Sequence, residues 1–232
     1  MTEKAKTTWK AIGTVVTIII VAIGACGCGP ADHPGAPAEG AQGKTRTLSF
    51  GGYTWRVLEE RDGKALLLSE DIIEKRPYNN EYTDDSWETC TLRGYLNGEF
   101  YEKFSEADRA RIVQTRNGNP DNTWGTWNGE RFNTPGGNPT DDYIFLLSVP
   151  EVLKYFPGLN LQKEDDGREW YYEADERLAA EFNGSGFWWW LRSPGFDPHY
   201  AACVDSDGTV DLYGGTVNYD SGGVRPALWI NL

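Results

Sequence analysis

The chain has 232 residues, a net charge of −13 and 13% aromatic residues, among them ten Trp and twelve Tyr. That length allows one sizeable domain with an appendage, and the aromatic residues can supply a large core. No basic patch follows the first ten residues, which argues against a partner with a phosphate backbone, so nucleic acid is not expected.

The amino end reads as export machinery. Lys4, Lys6 and Lys10 precede an apolar run, residues 11–25 (AIGTVVTIIIVAIGA), which is shorter than the roughly 20 residues of a comfortable membrane span. Residues 1–25 therefore fit a signal peptide. The run ends in IGAC, similar to the lipobox of bacterial lipoproteins. That resemblance implies that Cys26 carries a lipid, becomes the mature first residue and holds the protein to the membrane. Cys28 is a second candidate, and an uncleaved helix or an ordinary secretory signal are the alternatives. Residues 26–44 read as a flexible tether, rich in Pro, Gly and Ala and too poor in apolar residues to fold. His33, within it, has no expected role. The folded domain is expected over residues 45–232.

Residues 47–58 (TLSFGGYTWRVL) predict a β-hairpin around Gly51-Gly52, and residues 64–69 (KALLLS) a buried strand entered through Asp62-Gly63. The spacing of Leu92, Leu96, Phe100 and Phe104 predicts a helix within residues 87–104, split at Gly98. Ser105 caps a further helix through Ile112 and Val113. Residues 117–142, full of Gly, Asn, Pro and Thr, read as a long loop. Trp124, Trp127 and Phe132 argue against plain disorder there. A buried strand is expected at residues 143–148, a helix capped by Ser148 after it, a solvated turn at 161–168 and a helix at 173–182. From Phe187 onward the pattern is strand and turn. In residues 187–193 (FWWWLRS), Trp188 and Trp190 face one way and Trp189 the other. Helices between an early hairpin and a late meander indicate α+β, with the first and last strands of the domain free to pair.

FWWWLRSPG, YAACVDSDGTVDLYGGTVN and GVRPALWINL resemble the carboxyl half of DUF6273, a bacterial domain family of unknown function. The likeness runs over about residues 47–232, with 117–142 as an insertion. It implies an exported domain of C-type-lectin-like architecture: antiparallel sheets with short helices. The same broad architecture includes formylglycine-generating oxidases and the variable proteins of diversity-generating retroelements. The latter bind ligands with exposed carboxyl-terminal residues. The oxidases use a cysteine pair near the carboxyl end, where only Cys203 is available here.

The resemblance thus implies a lipid-anchored, non-catalytic surface domain that binds an extracellular peptide, glycan or cell-wall component. The expected contact surface is the carboxyl-terminal turns: Phe196, Asp197, His199, Tyr200, Asp205, Asp207, Asp211, Tyr213, Tyr219 and Asp220, framed by Trp124 and Trp127. Tyr, Asp and Ser among small residues are typical of adaptable binding surfaces; the alternative is a solvated sheet face. One ring of Trp188–Trp190 is either a stacking platform or sits under a loop. Asp205, Asp207 and Asp211 read as a polar turn rather than a calcium loop, and neither metal nor cofactor is expected. Cys90 and Cys203 either pair or lie apart as buried thiols. Arg192 and Arg225 are expected to be architectural, stacked on aromatic rings or paired with carboxylates. An oxidase, a wall hydrolase and a purely structural envelope domain remain as other readings.

Overall fold

The computed structural model describes residues 46–165 and 167–232. The expected signal peptide, Cys26 and the expected tether lie outside the described residues. Among those described, no helix is long and apolar enough to cross a membrane.

The early meander forms as its turns dictate. Strands β1 (Thr47–Phe50) and β2 (Tyr53–Arg61) pair around Gly51 and Gly52, both at positive φ. At Gly51 a Cβ would lie 2.2 Å from the Phe104 ring, so glycine is needed for space as well as conformation. Asp62-Gly63 then turns β2 into β3 (Lys64–Ser69), whose residues are buried from Ala65 onward. β4 (Glu74–Lys75) leaves for another sheet.

Helix α1 (Thr91–Tyr95) starts at Cys90, whose sulfur accepts from Arg93 N–H at 3.4 Å. It is not divided at Gly98. It continues through a widened π turn, Leu96–Phe100, because Leu96 and Phe100 are buried and Asn97 ties the helix to residues 143–144. Asn97 donates to the Ile144 carbonyl at 2.9 Å and accepts from Tyr143 N–H at 2.7 Å. Ser105 caps α2 (Glu106–Arg109), accepting from Asp108 N–H at 3.1 Å. That helix is shorter than expected: β5 (Ile112–Val113) instead pairs with the last strand of the chain.

Residues 117–142 are ordered. β6 (Thr115–Asn117) pairs with β9 (Thr140–Asp142) at the base, and Asn122 bridges Thr134 midway. At the tip, β7 (Thr126–Trp127) and β8 (Glu130–Arg131) turn at Asn128-Gly129. Residues 143–148 are largely buried but not a regular strand; Phe145 alone bridges Ala227. Helix α3 (Val149–Tyr155) carries a complete Ser148–Glu151 capping box.

After β10 (Leu161–Gln162) and β11 (Tyr171–Tyr172), the expected helix at 173–182 is replaced by a hairpin. β12 (Ala180–Phe182) and β13 (Ser185–Phe187) meet around Asn183 and Gly184, at φ 54° and 77°. Then come β14 (Trp189–Pro194), β15 (Tyr200–Val204), β16 (Val210–Thr216), β17 (Gly223–Val224) and β18 (Ala227–Asn231).

The first sheet, in the order β1-β2-β3-β18-β5, is antiparallel throughout; the second runs β10-β11-β16-β15-β14-β17-β4, with only β14 and β17 parallel. The architecture is α+β, mostly antiparallel sheet with a few short helices. The first and last strands do not pair as expected: the last strand lies between β3 and β5, because β2 takes the place beside β1. Arg225-Pro226 carries the chain from the second sheet to the first. One hydrophobic cluster draws on both.

A groove on the carboxyl-terminal sheet

The tryptophan run sets the frame. Trp189 and Trp190 are fully buried and point to opposite faces. Trp189 donates its indole N–H to the Leu178 carbonyl at 3.1 Å, beneath the Arg225 guanidinium. Trp190 donates to the Arg76 carbonyl at 2.9 Å and meets Tyr78 edge to face. Trp188 stands perpendicular to Trp190 at 4.6 Å, half-buried.

Cross-strand register brings Trp190 opposite Cys203, and Cys203 opposite Asp211. Opposed residues share a face, so this row lies on the Trp188–Trp190 side of the sheet. Between Ala201 and Cys203 the pairing of β15 with β16 shifts, which is a bulge. Asp211 holds it closed, its carboxylate accepting from Tyr213 N–H at 2.8 Å and Gly214 N–H at 3.0 Å. Gly214 sits at φ 83°, where a Cβ would be 2.1 Å from the Ala201 carbonyl oxygen. The bulge opens a groove of about 290 Å³. Trp188 and Tyr219 form its aromatic walls, Gly214, Gly215 and Thr216 line the bulged strand, and Cys203, Asp205 and Asp211 supply its ionisable groups.

Burial pushes the Asp211 carboxyl up to about 6; Asp205 adds to the rise, and the Gly214 and Tyr213 N–H groups oppose it. Burial, then Asp207, raises Asp205. The Cys203 thiol is held well above its usual range by burial and by the two carboxylates. It stays protonated and is a poor nucleophile. Among the described residues, no three His, Cys, Asp or Glu side chains gather so as to hold a metal ion.

A folded carboxyl that holds its proton more tightly than the unfolded chain costs stability as pH rises from about 4 through about 6. Asp211→Asn removes that titration and keeps an acceptor for the bulge. After discounting for partial exposure, the variant is expected to gain about 1 kcal/mol over the parent at pH 7.5, and little at pH 4. Urea midpoints at the two pH values check this; a variant weaker at both would show that the bulge needs the charge.

The expected contact residues do not form one surface. Asp205, Asp211 and Tyr219 line the groove. Phe196, Tyr200, Tyr213 and Trp127 form a separate aromatic cluster: Phe196 stacks on Tyr213 at 3.9 Å, and Trp127 lies 4.9 Å from Tyr213. His199 stacks on Tyr82 and lies between Asp84, at 3.2 Å, and Asp197, at 3.4 Å. Asp207 and Asp220 are exposed, Asp207 accepting from Thr209 N–H within its turn. Trp124 packs partly buried against the core. Cys203 and Thr216 were not among the expected contacts; only the strand register places them here. Cys90 and Cys203 are both free and buried.

Both arginines are architectural. Arg192 pairs with Glu151 and donates to the Leu146 carbonyl at 2.7 Å and to Asn119 at 3.3 Å. Arg225 donates to three carbonyls.

No curated protein and no solved structure matches the chain. A family model does match residues 62–232, the span that includes both sheets' central strands and the whole groove, and the chain belongs to that family, DUF6273, a domain of unknown function.

Proposed function

We propose that this chain is a lipid-anchored extracytoplasmic protein whose domain, of C-type-lectin-like architecture, binds a ligand without transforming it. The ligand is an extracellular peptide, glycan or cell-wall component, and it is met on the carboxyl-terminal sheet. The observation that carries this reading is the groove between Trp188 and Tyr219, with half-buried Asp211 at its base. Concave sites with aromatic walls and a few placed polar groups are the usual form of small-ligand sites. Tyr219 is 53% exposed and its ring lies 5.8 Å from that of Trp188, so both rings are within reach of a ligand in the groove. The protonated, buried Cys203 thiol favours binding over cysteine chemistry. The IGAC sequence at residues 23–26 supports anchoring through Cys26.

A glycan and peptide array probed with the soluble domain tests the reading. Saturable hits are expected, and Tyr219→Ala and Trp188→Ala should each weaken them about tenfold, the worth of one stacked ring. A blank array, or hits indifferent to both substitutions, would favour a structural envelope domain.

A further inference from the structure

We propose that the groove receives a protonated amine, the ammonium end of a lysine-like peptide side chain, held beside the Trp188 and Tyr219 rings and near Asp205 and Asp211. The proposal rests on the binding reading above and names the chemistry of its ligand.

Charge complementarity favours that occupant. The lining contains two carboxyl groups and no Lys, Arg or His. An anionic ligand would be repelled by both carboxylates. Among the described residues no cation bears on either carboxyl: burial and Asp207 act on Asp205, and burial, Asp205 and the Gly214 and Tyr213 N–H groups on Asp211. Partly desolvated carboxylates that repel one another gain most from an incoming positive charge. A neutral sugar offers hydrogen bonds but leaves that repulsion in place.

The aromatic walls add a second attraction. The Trp188 and Tyr219 ring centroids lie 5.8 Å apart with planes inclined at 48°. Both rings border the groove, and a cation there is drawn to the negative face of an aromatic ring. Perpendicular packing on the buried Trp190 fixes the Trp188 wall before any ligand arrives. A volume of about 290 Å³ accommodates one side chain and little more. At Gly215 a Cβ would lie 3.0 Å from the Trp190 ring and 3.7 Å from Trp188, so the bulged strand runs directly against the rings.

The test titrates the soluble domain with the peptide acetyl-Gly-Lys-Gly-amide, its Nε-acetylated form, and N-acetylglucosamine, following the Trp188 indole N–H by NMR. The lysine peptide is expected to saturate the signal at least about tenfold more tightly than the acetylated peptide, and Asp205→Asn to remove about tenfold of that affinity. Asp205 is suited to the test because Asp211, not Asp205, holds the bulge. Equal affinity for the two peptides, no saturation by the lysine peptide, or an unchanged Asp205→Asn variant would each overturn the proposal. Binding of the sugar that is lost in Tyr219→Ala would overturn the ammonium assignment and leave the ligand-binding reading standing. A blank array together with silent titrations would remove both.

Discussion

Asp142→Ala is expected to lower stability by about 3–5 kcal/mol, the usual cost of removing one partner from a buried charged network. Asp142 is fully buried at the base of the 117–142 excursion. One carboxylate oxygen accepts from Trp87 Nε1 at 3.0 Å, Asn117 Nδ2 at 3.0 Å and Thr140 Oγ1 at 2.7 Å, and the other from Arg93 Nε at 2.6 Å. The alanine variant leaves several donors unpaired at once, Trp87 among them in the core. Asp142→Asn should fall between the two, because its amide can serve the three clustered donors but turns an N–H₂ toward Arg93. Burial alone would raise the carboxyl, yet the four donors together hold it below its ordinary value. A depressed folded value contributes stability that is complete above about pH 4 and is lost as pH falls through it. The gap between parent and Asp142→Ala should therefore be widest at neutral pH and narrow in acid. Urea midpoints at pH 7 and pH 3 measure both effects. A gap below 1 kcal/mol at pH 7 would mean that water replaces the carboxylate at little cost.

This network also marks the limit of what the sequence discloses. Thr140, Asp141 and Asp142 read as the end of a loop because nothing local announces that Trp87 and Arg93, some fifty residues earlier, will donate to one carboxylate. Asn122 is similar: its amide donates to the carbonyls of Pro194, Gly195 and Leu212, contacts that only the folded chain creates. Where the signal is local, the reading holds. Gly51-Gly52, Asp62-Gly63 and the Ser148 cap all occur as expected, and the alternation of Trp188, Trp189 and Trp190 follows from strand geometry alone. At residues 173–182, Leu178, Ala179 and Phe182 have helical spacing. The chain nevertheless turns at Asn183-Gly184, a dipeptide that is itself a strong hairpin signal. Turn chemistry there outweighed periodicity. In the groove, Tyr219, Asp205 and Asp211 are recognisable as polar turn residues, but their meeting with Cys203 and Trp188 depends on bulged strand pairing, which composition cannot convey.

The second large effect is expected at Arg225. Its side chain is fully buried where the chain passes from β17 to β18, between the two sheets. The guanidinium donates to the carbonyls of Ser69 at 3.0 Å, Glu70 at 3.0 Å and Leu178 at 2.8 Å, and its carbon lies 5.0 Å from the centre of the Trp189 ring. Burial, then the neighbouring Arg56, brings its pKa down to about 9. The charge is thus costly to hold; the Glu70 and Asp71 carboxylates oppose its loss, and the three carbonyls accept its N–H groups. Arg225→Ala leaves Ser69 and Glu70 without that donor and opens a cavity over Trp189, for a loss of about 4 kcal/mol. Arg225→Met fills most of the space and removes the buried charge, so its loss should be smaller by about 1–2 kcal/mol. The order parent, Met, Ala in thermal and urea unfolding separates packing from hydrogen bonding. If Met matched the parent, the carbonyls would be indifferent to their donor, and the junction would be held by volume alone. Because Trp188 directly precedes the strand that Arg225 clamps through Trp189, both variants should also blunt ligand binding at the groove under conditions where they remain folded, with Ala the more severe.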